Sequence, residues 1–235
     1  MIMNKTLTAT DVTAAWDAWY TLLYADYKET KKTEKSRDGA VASEVIGAVT
    51  HILDPTRNIV QSKIRKMPIR YAIGEFLWYL SGNNSLKEIQ KYAPKSWNRM
   101  SDNGLTVNSN YGHKIFRFYG FDQWEYVKEL LVKDSNTRQA IIHIKEPRNT
   151  IENPTKDLPC TISLQFLQRE GKLNLITYMR SNDIWMGFPY DVFNFCNFLV
   201  LMSMELELEI GTYTHIAGSL HLYERDIPDL KGENE

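Results

Sequence analysis

Leu158-Pro159-Cys160, Tyr178-Met179-Arg180-Ser181-Asn182-Asp183 and Gly187-Phe188-Pro189-Tyr190-Asp191 place one thiol, one arginine–serine pair and two acids close together in the chain. A thiolate is a nucleophile. A guanidinium offers a planar fork for phosphate oxygens. A carboxylate accepts hydrogen bonds from the amino edge of a base. Together these groups suffice for covalent chemistry on a nucleoside monophosphate. The same stretch also shapes the fold. Residues 160–169 and 172–181 read as a hairpin turning at Glu170-Gly171, and residues 190–207 read as a long, very apolar helix buried at the centre of the protein.

Working outward, residues 10–28 carry Val12, Trp16, Trp19, Tyr20, Leu23 and Tyr27 at helical spacing, with Thr10 or Asp11 as cap. A charged loop over 28–39 follows, and then a Val/Ile-rich strand over 43–53. Residues 69–81 predict an apolar helix closed by Gly82-Asn83. Ser85 is placed to cap a short helix reaching Tyr92, Pro94 interrupts it, and Trp97 lies on the next turn. Residues 122–134 predict a helix, 138–146 a strand, and 211–220 a last strand leading into His221-Leu222-Tyr223. Helices and strands intermingle without a regular βαβ rhythm, which points to an α+β protein with a mixed sheet packed by helices. With no repeat or linker, residues 1–235 read as one domain.

The 235 residues are 43% hydrophobic and 24% charged, with a net charge of −1, the composition of an ordinary soluble globular domain. There is no overall positive field for nucleic acid, so an anionic substrate needs locally placed arginines. No run of 18 apolar residues predicts a membrane span, and the first ten residues show no secretory signal. Two cysteines without a secretion signal favour thiols in the cytoplasm over a structural disulfide.

Each candidate has a plain alternative. Cys160 is a nucleophile or a small core residue, whereas Cys196 sits in an apolar helix and reads as core. Arg180 and Ser181 suit a phosphate, or Arg180 forms a surface ion pair; Arg37 and Arg138 are further candidates of the same kind. Glu75 is an acid within Ile73-Gly74-Glu75-Phe76-Leu77-Trp78, so it is paired, or titrates near neutrality as a general acid or base, or marks a wet helix face. His221 and Tyr223 alternate on an extended segment and share a face, suited to a sugar hydroxyl or to a satisfied sheet edge. The five histidines show no metal-ligand spacing. No phosphate-binding glycine loop supports ATP or NAD.

Taken in order, Arg37, Ile73 to Leu80, Trp97, Asn110-Tyr111-Gly112, Asn136-Thr137-Arg138, Pro159-Cys160, Arg180 to Asp183, Gly187 to Asp191 and Gly218 to Tyr223 resemble the thymidylate synthase superfamily across most of the chain. The resemblance implies that fold, and a homodimer in which Arg138 serves the neighbouring subunit. It implies that Cys160 attacks C6 of a pyrimidine and that C5 takes a one-carbon unit from 5,10-methylenetetrahydrofolate, with no metal, membrane or nucleic acid required. Arg37, Arg180 and Ser181 would hold the 5′-phosphate, and His221 and Tyr223 the sugar 3′-hydroxyl. Glu75 would organise water and protons near the base with Tyr111. Trp97, Asp183 and Gly187 would line the folate site.

Asp191 stands where thymidylate synthases carry asparagine. An ionised aspartate offers only acceptors, which suits the amino group of cytosine and repels O4 of uracil. With Met179 to Asp183 and Gly218 to His221, this resembles the deoxycytidylate hydroxymethylases. The expected product is the 5-hydroxymethyl nucleotide of dCMP or CMP. A dCMP methylase, an atypical thymidylate synthase and an inactive nucleotide-binding protein are the alternatives; a cysteine hydrolase has no other support. Gln139 replaces a second arginine common in the family, and the chain stops nine residues after Asp226, where thymidylate synthases continue with a tail over the folate.

Overall fold

The computed structural model describes residues 2–30, 34–35, 39–93, 95–146, 155 and 157–228, so Arg37 and Pro94 lie outside the described residues. In chain order the elements are β1 (Ile2–Met3), β2 (Thr6–Ala9), α1 (Val12–Thr30), β3 (Glu34–Lys35), β4 (Val41–Ile52), α2 (Ile69–Leu80), α3 (Leu86–Gln90), α4 (Tyr111–Phe116), α5 (Gln123–Lys133), β5 (Ile141–His143), β6 (Thr161–Arg169), β7 (Lys172–Met179), β8 (Asn182–Asp183), α6 (Phe188–Glu205) and β9 (Glu209–Tyr223). The protein is α+β, with a mixed sheet and packed helices. Two compact units are formed: Met1–Met67 with Tyr178–Asn197 and Gly211–Glu235, and Pro68–Thr177 with Phe198–Ile210. Among the described residues no helix is long and apolar enough to cross a membrane.

In the first unit β4 pairs with β1 and β2 in parallel and with β3 and β9 in antiparallel fashion. β8 adds to β9 in parallel. Asp11 caps α1 by accepting the amide of Ala14 at 3.0 Å, as a short acid at this position should. Trp16, Trp19 and Leu23 of α1 are fully buried, each burial contributing about 1.5–3 kcal/mol. The two indole N–H groups are satisfied: Trp16 donates to the Ile184 carbonyl at 2.7 Å and Trp19 to Thr50 Oγ1 at 2.8 Å. β9 is one strand of 15 residues that runs through His221 and Tyr223 and does not stop before them. Its burial alternates in step with β4 until Gly47 and Gly218, where the alternation shifts by one in both strands. Gly47 has φ +70°, and a Cβ there would come 2.9 Å from Asn4 Oδ1. Tyr213 and His215 on one side of this shift are therefore buried, while His221 and Tyr223 on the other, though of the same parity, are half-exposed.

In the second unit α2 follows Pro68 and buries Ala72, Gly74, Glu75, Trp78 and Tyr79. Two glycines set close approaches to this helix. A Cβ on Gly74 would lie 2.2 Å from the Tyr92 ring, and one on Gly112 would lie 1.8 Å from the Tyr79 carbonyl oxygen. α4, unforeseen from sequence, is capped by the Asn110 side chain, which accepts from the His113 amide. Asp122 caps α5. Ser85 occupies the N-cap position of α3, yet its side chain makes no cap bond there; Asn83 Oδ1 instead accepts from the Ser85 amide at 2.7 Å and fixes the turn. α3 ends at Gln90, short of Tyr92, and β5 is confined to Ile141–His143, within the expected 138–146. β5 pairs antiparallel with β6. The β6–β7 turn has Glu170 at φ 53° and Gly171 at φ 76°, the paired left-handed conformation that suits a tight hairpin. α6 begins at Phe188, two residues earlier than expected, with Asp191 in its first turn.

Candidate functional site

The expected site residues fall into a group on each unit. In the second unit Glu75 is 5% exposed and accepts a hydrogen bond from Tyr71 Oη at 2.6 Å. Tyr71 in turn accepts from Trp97 Nε1 at 3.1 Å. The structure thus joins Glu75 and Trp97 through Tyr71, a residue sequence reasoning passed over, although its position four before Glu75 on a helix was the available signal. The buried Tyr111 ring packs on Tyr79, centroids 5.3 Å apart, and Trp97 meets Trp78 edge-on at 5.3 Å.

Cys160 is half-buried immediately before β6 and Cys196 is fully buried; neither forms a disulfide. Burial pushes the Cys196 thiol well above its ordinary range, which leaves it an inert core residue. The segment that leads to Cys160 is anchored: Asp157 accepts from the Ser109 amide at 2.7 Å, tying the residue three before Cys160 to the residue two before Tyr111. Burial raises the Asp157 carboxyl, and the hydrogen bonds from Ser109 oppose that rise. Lys114 on α4 is buried too, and burial lowers it to about 8 against the attraction of Glu146 and Asp157. Arg138 is exposed; its carbonyl accepts from Gln165 Nε2 at 2.9 Å.

In the first unit β8, β9 and β4 set Asp183, His221 and Glu44 side by side in one row of the sheet. Glu44 accepts a hydrogen bond from Ser219 Oγ. The His221 and Tyr223 rings meet edge-on at 4.8 Å, so the expected sharing of a face holds. Burial lowers the His221 imidazole, while Asp183 and Glu44 pull it back up. Asp183 Oδ1 accepts from the amides of Trp185 and Met186 at 2.8 and 3.2 Å, which closes the turn towards Gly187. Arg180 is exposed at the end of β7, and Ser181 beside it is half-buried.

Asp191 is held from behind. Its Oδ2 accepts from Asn182 Nδ2 at 2.8 Å. Asn182 Oδ1 lies 3.0 Å from His215 Nε2, and His215 Nδ1 lies 2.8 Å from Tyr213 Oη. Gly187 must be a glycine beneath this pair, because a Cβ would sit 2.9 Å from Asn182 Nδ2 and 3.2 Å from Asp191 Oδ2. Arg65, also missed from sequence, stacks over the Trp185 and Tyr190 rings at 5.5 Å each. Its Nε and Nη1 are buried with no hydrogen-bond partner among the described residues.

Burial lowers His215 to about 3, so the imidazole is neutral at physiological pH. The unfolded chain protonates near 6.5 and the folded chain only near 3, so protonation favours unfolding. The contribution of His215 is intact above pH 6.5 and falls by about 1.4 kcal/mol per unit as pH drops from 6.5 towards 3. Urea unfolding across this range should show that slope in the wild type minus His215→Gln difference; a flat difference would mean that burial does not hold His215 neutral.

Residues 18–234 match the family described as thymidylate synthase. The chain belongs to the thymidylate synthase family. Among individual proteins it is similar to the deoxyuridylate hydroxymethyltransferase of Bacillus phage SP01, 32% identical over 197 residues, which are 79% of this chain and 51% of that one. The chain thus spans about half the length of that relative. Its fold matches the crystal structure of thymidylate synthase from T4 phage, with TM-score 0.74 at 22% identity, over 91% of this chain and 79% of the other. Both relatives come from phages.

Proposed function

We propose that this thymidylate synthase family member transfers a one-carbon unit from 5,10-methylenetetrahydrofolate to C5 of a cytosine nucleoside monophosphate and completes the reaction with water, giving the 5-hydroxymethyl nucleotide. The observation that carries the choice of base is Asp191, a carboxylate with one oxygen engaged by an amide N–H. A carboxylate accepts from an exocyclic amino group and has no N–H to offer a carbonyl in its place.

In this reading Cys160 is the nucleophile towards C6. Glu75, hydrogen-bonded to Tyr71, moves protons near the base with Tyr111. Arg180 and Ser181, together with Arg37 and a neighbouring subunit's Arg138, hold the phosphate, and His221 and Tyr223 hold the sugar. Folate supplies the one-carbon unit. Trp97, Asp183 and Gly187 are the residues assigned to folate in this reading. The enzyme acts as a homodimer in the cytoplasm of a cell or of a phage's host.

A second reading, a uridylate hydroxymethylase, is favoured by the name of the SP01 relative. A panel of CMP, dCMP, UMP and dUMP with methylenetetrahydrofolate, read by product mass, decides between them. A 5-hydroxymethylcytosine nucleotide is expected. A uracil product would overturn the choice of base, a methyl product the final step, and no product with any of the four the activity itself.

A further inference from the structure

Asp157 is 3% exposed and bears no role in the reaction as proposed, yet it stands three residues before Cys160. Burying a carboxylate is costly unless donors meet it. Here the donors come from the loop that leads into α4. The Ser109 amide donates to Asp157 Oδ2 at 2.7 Å, and the Ser109 hydroxyl and the Asn108 amide also favour the charged form. Thr155, two residues earlier, ties the same segment to the same loop. Its hydroxyl donates to Asp102 Oδ2. It accepts from Asn108 Nδ2 at 2.8 Å and from the Asp157 amide at 3.1 Å, which uses its one hydrogen and both lone pairs. Asn108 Nδ2 also donates to Asp102 Oδ2 at 2.9 Å. Between this clasp and the start of β6 stand only Leu158, Pro159 and Cys160, and the proline ring fixes its own φ.

The loop that receives the clasp is itself fixed. Asn110, the residue after Ser109, caps α4. α4 lies so close to α2 that a Cβ on Gly112 would come 1.8 Å from the Tyr79 carbonyl oxygen. α4 carries Tyr111, and α2 carries Glu75. We infer that Asp157 is a positioning residue: by clasping the chain before Cys160 to the start of α4, it sets the nucleophile in one frame with Tyr111 and Glu75. The inference rests on Cys160 being the nucleophile towards C6. The residues assigned to the phosphate, sugar and base lie on other segments, so loss of the clasp is felt in the covalent step and not in nucleotide binding. Misplacing a reacting group by about 1 Å costs on the order of a hundredfold in rate.

The test takes the full chain as wild type, Asp157→Ala, Asp157→Asn and Thr155→Val. Two quantities are measured with 5-fluoro-dCMP: its dissociation constant without folate, and the limiting rate of covalent adduct formation with methylenetetrahydrofolate, read by mass spectrometry of quenched samples. Asp157→Ala should slow the adduct roughly ten- to a hundredfold while the dissociation constant stays within about threefold. Asp157→Asn keeps an oxygen for the Ser109 amide and should recover most of the rate. Thr155→Val, which removes only the hydroxyl, should slow the adduct by a few-fold and carries the decision where Asp157→Ala does not fold. Binding and rate falling together in both Asp157→Ala and Thr155→Val would make the clasp a matter of stability alone and overturn the inference. Rates within about twofold of wild type in both would overturn it as well, with Cys160 as nucleophile left standing. A wild type labelled by 5-fluoro-dUMP and not by 5-fluoro-dCMP would overturn the choice of base, and the same variants would test the clasp with the uracil nucleotide. A wild type labelled by neither would remove Cys160 as nucleophile and the inference with it.

Discussion

Replacing Cys160 by serine is expected to lower turnover at least about a thousandfold, an increase of about 4 kcal/mol in the barrier, while nucleotide binding stays within a few-fold. A hydroxyl is a weak nucleophile near neutral pH unless a base activates it, and the proposed chemistry begins with covalent attack on C6. The substitution changes one atom at a half-buried position just before β6, so the packing around it is preserved. The anchor between Asp157 and Ser109 does not involve the thiol. The decisive measurement is mass spectrometry of the protein incubated with a 5-fluoropyrimidine nucleotide and methylenetetrahydrofolate. The wild type should carry one covalent nucleotide and Cys160→Ser none. An adduct of equal yield on both would remove Cys160 from the mechanism. The same outcome separates an active enzyme from a protein that only binds nucleotide, because a binder has no use for a nucleophile.

Elements with a strong local signal were legible in the sequence. The period of Val12, Trp16, Trp19 and Leu23 predicts a helix over 10–28 capped by Thr10 or Asp11, and the structure forms it over Val12–Thr30 with Asp11 as the cap. The apolar run at 69–81, which forms α2 over Ile69–Leu80, and the Glu170-Gly171 turn are of the same kind. What escaped was held by tertiary context. β1 and β2 are two and four residues long and exist by pairing with β4. α4 has only six residues and depends on Asn110 as cap and on the contact of Gly112 with α2. Short elements of this sort carry too little periodicity to be seen in one sequence.

The site divides in the same way. Cys160, Arg180 and Asp191 stand out by residue type beside familiar neighbours. Glu75 stands out because an acid in an apolar helix needs a partner, and Tyr71 proved to be that partner. His215 gave no such sign. It shares its strand and its parity with His221, and only the shift of alternation at Gly218 buries one and leaves the other half-exposed. Arg65 looked like one more solvated cation next to Lys63 and Lys66, and its burial against Trp185 and Tyr190 arises from residues more than a hundred positions away.

Asp191→Asn is expected to shift base preference from cytosine towards uracil by roughly ten- to a hundredfold in relative catalytic efficiency. A carboxylate accepts from the cytosine amino group and repels the uracil O4, whereas an amide nitrogen donates to that O4. Exchanging repulsion for a hydrogen bond at a desolvated edge is worth roughly 1–3 kcal/mol, which sets the range. The change is isosteric, and Asn182 can still donate to the oxygen of residue 191, so the side-chain contact in the first turn of α6 is kept and Gly187 keeps its clearance. Loss on the cytidylate should exceed gain on the uridylate, since turning over the new base also depends on groups shaped around the old one. Specificity is a difference between two transition-state affinities, so both substrates have to be measured on the same preparation. Equal losses on the two would indicate a damaged fold. An unchanged ratio with normal activity would show that residue 191 does not face the base, and the choice of cytosine over uracil would then lose its physical basis, leaving the uridylate activity named for the SP01 relative as the better account of this chain.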